Sequence, residues 1–430
     1  MQDAAVRRAQ VAVGAAYAAQ GFGYATVVTA LPGLKARTGI EDDTIALVLL
    51  MGALLAAAGS VTSERVARRW SSRTAVVVGL LAQAVGLASV AAATSVPPLV
   101  ASFVVFALGL GMVDASSNMQ GVALQHRVGR AILSTLFACL TVAAILAALT
   151  QSGLARFGTT TGAVAALLVA VVVAATVALV VRPWLLPSTT APRAPHHEAA
   201  PADAHHTDGA HHTEGILPGA RTGVAPPDAP DTPAEPARTP LPRAGIWLFG
   251  ALVAVAFVVD SAVSSWSTVY LHDELLASGT VAPLGYAAYQ GAVLLARLAG
   301  DPLVRRYGRV RVAAPTGAVA AVGLFVVALV PSPGAAVVGF ALAGIGAGTL
   351  VPLAFSAAGE LAPARLDDVV ARINLFNYAG ALLGAVVIGL LSEVTGLGPA
   401  FLVPALMLVP AMAIVPRLAV RAPARTSATP

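Results

Sequence analysis

The residues SERVARRWSS at positions 63–72 return in similar form as GDPLVRRYGR at positions 300–309. An acid, a pair of arginines and an aromatic residue recur at the same spacing, so that Glu64 corresponds to Asp301. The difference between the residue numbers of Asp301 and Glu64 is called the repeat offset. Self-similarity at a fixed offset is the mark of an internal repeat. The chain is therefore predicted to contain two copies of one structural unit.

The composition around these two stretches is that of a membrane protein. Of the 430 residues, 57% are hydrophobic and 11% are charged, with a mean hydropathy of +0.80, whereas a soluble domain is about 25% charged. This excludes a soluble globular enzyme. The net charge of +5 comes from short basic clusters between apolar runs, which argues against nucleic-acid binding. The single Cys139 excludes a disulfide framework, and we expect no cofactor.

Stretches without Asp, Glu, Lys or Arg give the number of membrane crossings, because each helix needs about 20 apolar residues. Single spans are predicted at 9–34, 44–63, 131–155, 157–181, 282–296, 373–392 and 394–416, one at 244–271 that contains only Asp260, and two each in 74–113 and 312–359. The first run is too long for a cleavable signal peptide, so we expect it to be retained. The sequence thus predicts an all-α membrane protein with twelve transmembrane helices.

A hydrophilic segment separates two sets of six spans. Residues 183–243 are rich in Pro, Ala, His and Thr and have almost no aliphatic clusters, so they are predicted to form a disordered linker. The flanking units are an N-terminal six-helix bundle at 1–182 and a C-terminal bundle at 244–416, followed by a tail at 417–430. Because 22 of the 26 Lys and Arg residues fall on one side of this topology, both termini, the linker and the tail are predicted to be cytoplasmic.

Histidine doublets in the linker raise the question of metal binding. Six of the eight histidines form the pairs His196 and His197, His205 and His206, and His211 and His212. Neutral imidazoles bind Zn, Ni or Cu. No acid or Cys cluster completes a site, so we expect no metal centre, with metal binding by the linker as the alternative.

The repeated stretch resembles the major facilitator superfamily, whose turns after helices 2 and 8 carry the pattern Gly-x-x-x-Asp-Arg-x-Gly-Arg. With Gly308 on the second Gly, Arg68 and Arg305 stand where that family usually has Asp, and the acids lie four residues earlier. This departure is similar to a branch of sugar-permease-like bacterial carriers that includes the membrane protein MosC. Further matching pieces are LPGL at 31–34, NMQ at 118–120, RLAGD at 297–301, VPLAF at 351–355 and RINLFNYAG at 372–380.

The resemblance implies the major facilitator fold, in which two pseudo-symmetric six-helix bundles rock about a central site. We also expect a small-molecule solute, protons and membrane lipid as partners, no enzymatic activity, and a monomer. The excess of Arg over Lys and the abundance of Ala favour a bacterial inner membrane. Acids and arginines at the helix ends are expected to bridge adjacent helices on the cytoplasmic rim, and Arg297 is expected to bond Asp301 one turn away. Static structure is the alternative to gating. The predicted gating residues are Glu64, Arg68, Arg69, Arg297, Asp301, Arg305, Arg306 and Gly308.

Asp260 is the most informative polar residue inside a span. It lies about 16 residues into the seventh helix, and no basic residue is within two turns. An ionisable group at this depth is normally paired or lines an aqueous cavity. It either carries protons or holds a cationic substrate, or it is a structural acid bonded to Ser or Asn. Ser264 and Trp266 follow on the same helix and are predicted to contribute to binding. The alternatives are a Ser264 bond to its own helix and Trp266 in the interfacial belt.

Asp114 and Asn118 are four residues apart and are predicted to form one polar patch near the cytoplasmic end of the fourth helix. The patch is either a proton or substrate site, or Asp114 pairs with Arg127 or Arg130 and locks the rim. Other polar residues lie on helices 1, 8 and 11, which line or flank the cavity in the resembled architecture, although each is also suited to interhelical bonding. These candidates are Tyr24, Tyr289, Gln290, Asn374 and Asn377, and more weakly Tyr378.

The predicted function is proton-coupled export of a small amphipathic or cationic solute. The inferred cavity has one or two carboxylates and few aromatic platforms, because only Trp266 of the four tryptophans lies away from the cytoplasmic ends. Proton-coupled uptake of a sugar-like or polyol solute is the first alternative. The second is a non-transporting membrane sensor that signals through the linker.

Overall fold

Helices account for the regular structure of the described residues. The computed structural model describes residues 2–129, 132–186, 243–361 and 366–418, and these contain no strand. The first half contains α1 (Gln2–Thr38), α2 (Asp42–Arg69), α3 (Ser72–Ala92), α4 (Val96–Val128), α5 (Leu133–Leu154) and α6 (Thr159–Val181). The second half contains α7 (Arg243–Val269), α8 (Ala282–Tyr307), α9 (Arg309–Leu329), α10 (Pro333–Gly359), α11 (Leu366–Thr395), α12 (Leu397–Ala400) and α13 (Leu402–Met412).

The prediction of twelve crossings in two bundles is confirmed. Ten helices in the described part of the chain are long and apolar enough to span a membrane. The other two crossings are α8, whose last three turns carry charges, and the consecutive helices α12 and α13. Most of the predicted linker, residues 187–242, lies outside the described residues, as do all three histidine doublets.

The repeat extends beyond the turns that follow α2 and α8. Helix α9 begins and ends at the repeat offset from α3, and α10 begins at the same offset from α4. Three glycines, Gly86, Gly109 and Gly111, recur at this offset, as Gly323, Gly346 and Gly348. Each of the six faces a neighbouring helix so closely that an added Cβ atom would collide with it. Small residues permit this close approach of helices, so the two copies share one mode of packing.

The turn after α1 also recurs after α7. Gly39 has φ of +72°, and Leu276, which corresponds to it at the repeat offset, has φ of +54°. Leu276 is the one non-glycine residue with positive φ in the described part of the chain, and it is 84% exposed. The second copy therefore has the same left-handed backbone conformation without the glycine that favours it.

Two predicted helix boundaries need correction. Helix α4 ends at Val128 with left-handed Gly129 as its cap, so Asp114 lies almost four turns before the end instead of about two. The predicted crossing at 394–416 is interrupted, because Gly396 ends α11 with φ of +83° and Pro404 offers no N–H to the carbonyl of Ala400.

The two bundles are joined by polar contacts at the end where α1 and α7 finish, which we call the closed end. There Lys35 Nζ lies 2.5 Å from Asp273 Oδ2 of the other bundle and 2.5 Å from Asp42 Oδ1 of its own. Ser152 Oγ donates to the carbonyl of Thr280 at 2.5 Å. Among the described residues, no hydrogen bond or ion pair joins the bundles at the opposite end.

Candidate functional site

Asp260 lies in a group of polar residues that we call the Asp260 cluster, which comprises Tyr24, Asp260, Ser265, Tyr286, Tyr289 and Gln290. The hydroxyl group of Tyr289 donates to Asp260 Oδ1 at 2.8 Å, from α8 to α7. One residue further on, Gln290 Nε2 donates to the hydroxyl oxygen of Tyr286 at 3.0 Å. Both tyrosines are fully buried. A carboxylate that accepts a hydrogen bond from a buried hydroxyl is held in a defined position.

The first bundle also contributes to the Asp260 cluster. Tyr24 of α1 is close enough to Asp260 for a Coulombic interaction, and its hydroxyl group lies beside Ser265. Arg297 lies about two turns beyond Tyr289 on α8, and its side chain is exposed. The cluster therefore lies where α1, α7 and α8 meet, between the two bundles.

A second group, the Asp114 cluster, consists of Tyr17, Gln20, Asp114 and Asn118. Gln20 Nε2 donates to Asp114 Oδ1 at 3.0 Å, and the hydroxyl group of Tyr17 donates to Asn118 Oδ1 at 2.6 Å. Asp114 and Asn118 thus both meet side chains of α1, as expected of a shared patch on α4.

The predicted ion pair between Asp114 and Arg127 is absent from the structure. The two residues are more than three turns apart on one continuous helix, which corresponds to about 20 Å along its axis. Arg130, the other predicted partner, lies outside the described residues. Asp114 makes no ion pair with any described side chain.

The predicted gating residues make contacts mostly within their own helices. Arg68 Nη1 lies 2.8 Å from Glu64 Oε1 on the exposed surface of α2, so this pair does not bridge two helices as predicted. The predicted pair of Arg297 with Asp301 is also absent from the contacts of the described residues, in which both side chains are exposed. Asp301 and Arg305 are exposed, and neither makes a hydrogen bond or an ion pair through its side chain with another described residue.

Two arginines of the repeated stretch stack in the same way. The guanidinium group of Arg69 lies 5.8 Å from the ring centroid of Trp70, and that of Arg306 lies 5.3 Å from the ring centroid of Tyr307. Such cation–π contacts orient the arginine side chain. Gly308, with φ of +84°, forms the turn from α8 to α9.

Another ion pair joins α9 to the end of α10. Arg309 of α9 binds the carboxylate of Glu360, just past the end of α10, and also donates to Ser356 Oγ at 2.9 Å. The Arg309 guanidinium holds the pKa of Glu360 below its usual value. The pair therefore persists in the charged form at neutral pH.

The remaining predicted residues are distributed between the core and the surface. Trp266 is fully buried and donates from Nε1 to the carbonyl of Ala385 at 2.7 Å, so it packs between α7 and α11 and does not lie in an interfacial belt. Ser264 is buried beside it in α7. On α11, Asn377 is half-buried and Tyr378 is exposed, while the side chain of Asn374 lies outside the described part.

Tyr17, Ser265 and Tyr286 belong to the clusters but were not predicted from the sequence. A weak signal was present for the first of these, because Tyr17, Gln20 and Tyr24 follow one another at helical spacing on α1. No group of three or more potential metal ligands occurs among the described residues.

The fold and the two clusters define a multi-pass membrane protein with polar groups buried between two helical bundles. The family model described as Major Facilitator Superfamily matches residues 13–275 and again residues 248–430. The chain therefore belongs to the major facilitator superfamily. Proteins of this family are transporters, so the chain is a membrane transporter of small solutes and not an enzyme.

Comparisons with individual proteins agree with this family. An uncharacterized MFS-type transporter of Yersinia pestis is 27% identical over 407 residues, which cover 93% of each chain. Membrane protein MosC of Rhizobium meliloti is 32% identical over 155 residues, or 36% of this chain and 38% of MosC. The solved nucleoside transporter NupG has a TM-score of 0.64 at 13% identity, and the match covers 95% of this chain and 97% of NupG. The last similarity concerns the fold alone.

Proposed function

We propose that the protein exports a small amphipathic or cationic molecule in exchange for protons, with Asp260 as the proton carrier. The observation that supports this proposal best is the position of Asp260, deep in α7 at the junction of both bundles and bonded to the Tyr289 hydroxyl group. A charged group in this place costs at least about 2.5 to 3.5 kcal/mol on insertion scales. Binding a proton removes that cost, so the protonated and charged forms favour different arrangements of the bundles.

Tyr289 and Tyr24 link the protonation of Asp260 to the arrangement of the two bundles. Tyr289 donates to the carboxylate from the same bundle, and Tyr24 approaches it from the other bundle. Protonation of Asp260 weakens its attraction for the Tyr289 hydroxyl group. The contacts between α1, α7 and α8 then relax, and the bundles are free to rock.

The orientation in the membrane follows from the distribution of arginine. We propose that the closed end faces outward, since the opposite end carries the arginine-rich turns after α2 and α8. The described arrangement is then inward-facing, with both termini in the cytoplasm of a bacterium. One chain supplies both bundles, so we propose a monomer, divided into bundles at 1–182 and 244–416, the cytoplasmic linker at 183–243 and the tail at 417–430.

Proton-coupled uptake of a polar solute is the competing function. The amides Gln20, Gln290 and Asn118, which lie in the two clusters, favour it, because several amides suit a solute with many hydroxyl groups. The direction of proton movement separates the two functions. With a solute found by counterflow screening, export predicts that solute and protons cross a proteoliposome membrane in opposite directions.

Replacement of Asp260 tests the proton role. We expect Asp260→Asn to abolish transport driven by an imposed pH gradient, because the amide cannot carry a proton, whereas solute counterflow without a gradient persists. The measurement is internal pH by a trapped fluorescent dye together with solute flux. Glu393→Gln, which neutralises an exposed acid on α11, is the matched control. Undiminished gradient-driven flux in Asp260→Asn would refute the proposal.

A further inference from the structure

The Asp114 cluster has more hydrogen-bond acceptors than its own residues satisfy. Asp114 accepts one hydrogen bond among the described side chains, from Gln20, and makes no ion pair there. Gln20 is 7% exposed, and its side-chain oxygen Oε1 is buried without a hydrogen-bond partner. Because Gln20 Nε2 points to Asp114, this unpartnered oxygen lies next to the carboxylate. A carboxylate and a free amide oxygen together suit a ligand that brings N–H donors and positive charge.

The Asp260 cluster is less suited to a cation. The carboxylate of Asp260 already accepts a hydrogen bond from Tyr289, and no buried polar side-chain atom of this cluster lacks a partner among the described residues. A cation there would compete with the Tyr289 hydroxyl group. The two carboxylates therefore differ in what they can bind, although both lie deep in the bundles.

Aromatic surface is available beside the Asp114 cluster. The rings of Tyr17 and Phe137 meet edge to face, with centroids 5.3 Å apart and an interplanar angle of 75°. Tyr17 is buried and is bonded to Asn118, whereas Phe137 of α5 is 40% exposed. An exposed aromatic ring packed against the tyrosine of this cluster favours a ligand that combines an ammonium group with an apolar or aromatic body.

We propose that the transported solute is an organic ammonium ion with an aromatic ring, held at the Asp114 cluster by Asp114 and the side-chain oxygen of Gln20. This proposal rests on the function proposed above and divides the work between the carboxylates, so that Asp114 holds the solute while Asp260 carries the proton.

One face of α1 connects the two clusters. Tyr17, Gln20 and Tyr24 follow at spacings of three and four residues, which places them on one face of the helix. Tyr17 and Gln20 contact the Asp114 cluster, and Tyr24 belongs to the Asp260 cluster. The proposed solute site and the proposed proton site thus both contact α1, at Tyr17 and Tyr24, which are about 10 Å apart along the helix axis. A shift of α1 caused by one ligand changes the site of the other.

Equilibrium binding to the full chain in lipid nanodiscs tests the division of roles, with radiolabelled phenethylamine as the probe and uncharged 2-phenylethanol as competitor. We expect Asp114→Asn to weaken phenethylamine binding at least about tenfold, since an ionic hydrogen bond is lost. Asp260→Asn should still bind the probe saturably, but with an affinity that no longer depends on the protonation of residue 260. 2-Phenylethanol should displace the probe poorly.

A second variant keeps the test informative if Asp114→Asn does not fold. Phe137→Leu keeps the carboxylate and should weaken phenethylamine binding about threefold or more through loss of the ring. The proposal is overturned if phenethylamine does not bind the wild type saturably, if Asp114→Asn binds it normally, or if Asp260→Asn loses it. Each of these results leaves the proton role of Asp260 to be decided by its own flux measurement, so the two proposals fail separately.

Discussion

At the scale of single residues, the left-handed Leu276 shows how strongly the fold dictates local backbone. A non-glycine residue with positive φ carries a steric penalty of about 1–2 kcal/mol. Leu276 accepts it at the position where the first copy has Gly39. No atom lies within 4 Å of an added Cβ atom on Gly39, so the difference between the two turns is one of conformational strain and not of packing.

Exchanging the residues of these two turns tests this explanation. We expect Gly39→Leu to destabilise the protein by about 1–2 kcal/mol and Leu276→Gly to leave stability unchanged or raise it slightly, because glycine relieves the strain but gains entropy in the unfolded chain. Thermal unfolding in detergent measures both. Gly334→Leu, in open space in the first turn of α10, is the control for the added side chain. A larger loss at Gly334 than at Gly39 would contradict the explanation.

At the scale of helices, the recurring glycines set the distance between neighbours. An added Cβ atom on Gly111 of α4 would collide with the backbone carbonyl of Ala56 in α2, and one on Gly348 of α10 would lie 2.7 Å from the carbonyl oxygen of Val293 in α8. Backbone atoms cannot rotate away as a side chain can. The helices themselves must separate to accommodate a larger residue.

Replacing these glycines by valine should therefore destabilise the protein more than replacing a glycine that has open space around it. Gly111→Val and Gly348→Val are each expected to cost about 1–3 kcal/mol or more, seen as lower yield of folded protein and a lower Tm. Gly153→Val is the matched control, since Gly153 lies in helix α5 with no atom within 4 Å of an added Cβ atom. Equal losses in all three variants would show that helix propensity, and not packing, decides the effect.

Helices and their number could be predicted from the sequence because both depend on composition and period. The partners of polar side chains could not. Spacing along one helix suggested that Arg297 would bond Asp301, yet these two exposed side chains make no ion pair among the described residues. Tyr289 and Asp260 were each selected as candidates, but their bond joins residues 29 positions apart. Tyr17 lies in an apolar run, and its partner Asn118 belongs to α4, so their bond could not be predicted from the sequence around Tyr17.

At the scale of the whole molecule, Lys35 holds the bundles together at the closed end. It bonds Asp273 across the interface and Asp42 within its own bundle. The side chains of Lys35 and Asp42 are each 19% exposed, and that of Asp273 is 29% exposed. Removing Asp273 takes away the partner of Lys35 across the interface, which favours hydration and opening of this end.

Loss of the Lys35–Asp273 contact should shift the conformational equilibrium. We expect Asp273→Asn to open the closed end and bring the opposite ends of the bundles together. The measurement is the distance distribution between spin labels at Trp70 and Tyr307, exposed residues at the ends of α2 and α8, in a chain with Cys139→Ser.

Asp42→Asn separates this effect from a general loss of charge. It removes an equally short ion pair of the same lysine, but that pair does not join the bundles. We expect its distance distribution to resemble that of the unmodified background. A shift as large as that of Asp273→Asn would mean that the Lys35–Asp273 contact does not hold the bundles together.

The constant offset between the halves has an evolutionary consequence. At this offset, Asp260 corresponds to Gly23, and Asp114 corresponds to Val351. The packing glycines survived in both halves, whereas the reactive side chains are present in one half only. An ancestral homodimer of the six-helix unit would have had either two such carboxylates or none at each pair of equivalent places. The chemical asymmetry between the halves is therefore a property of the single chain, which a symmetric pair of six-helix units could not have had.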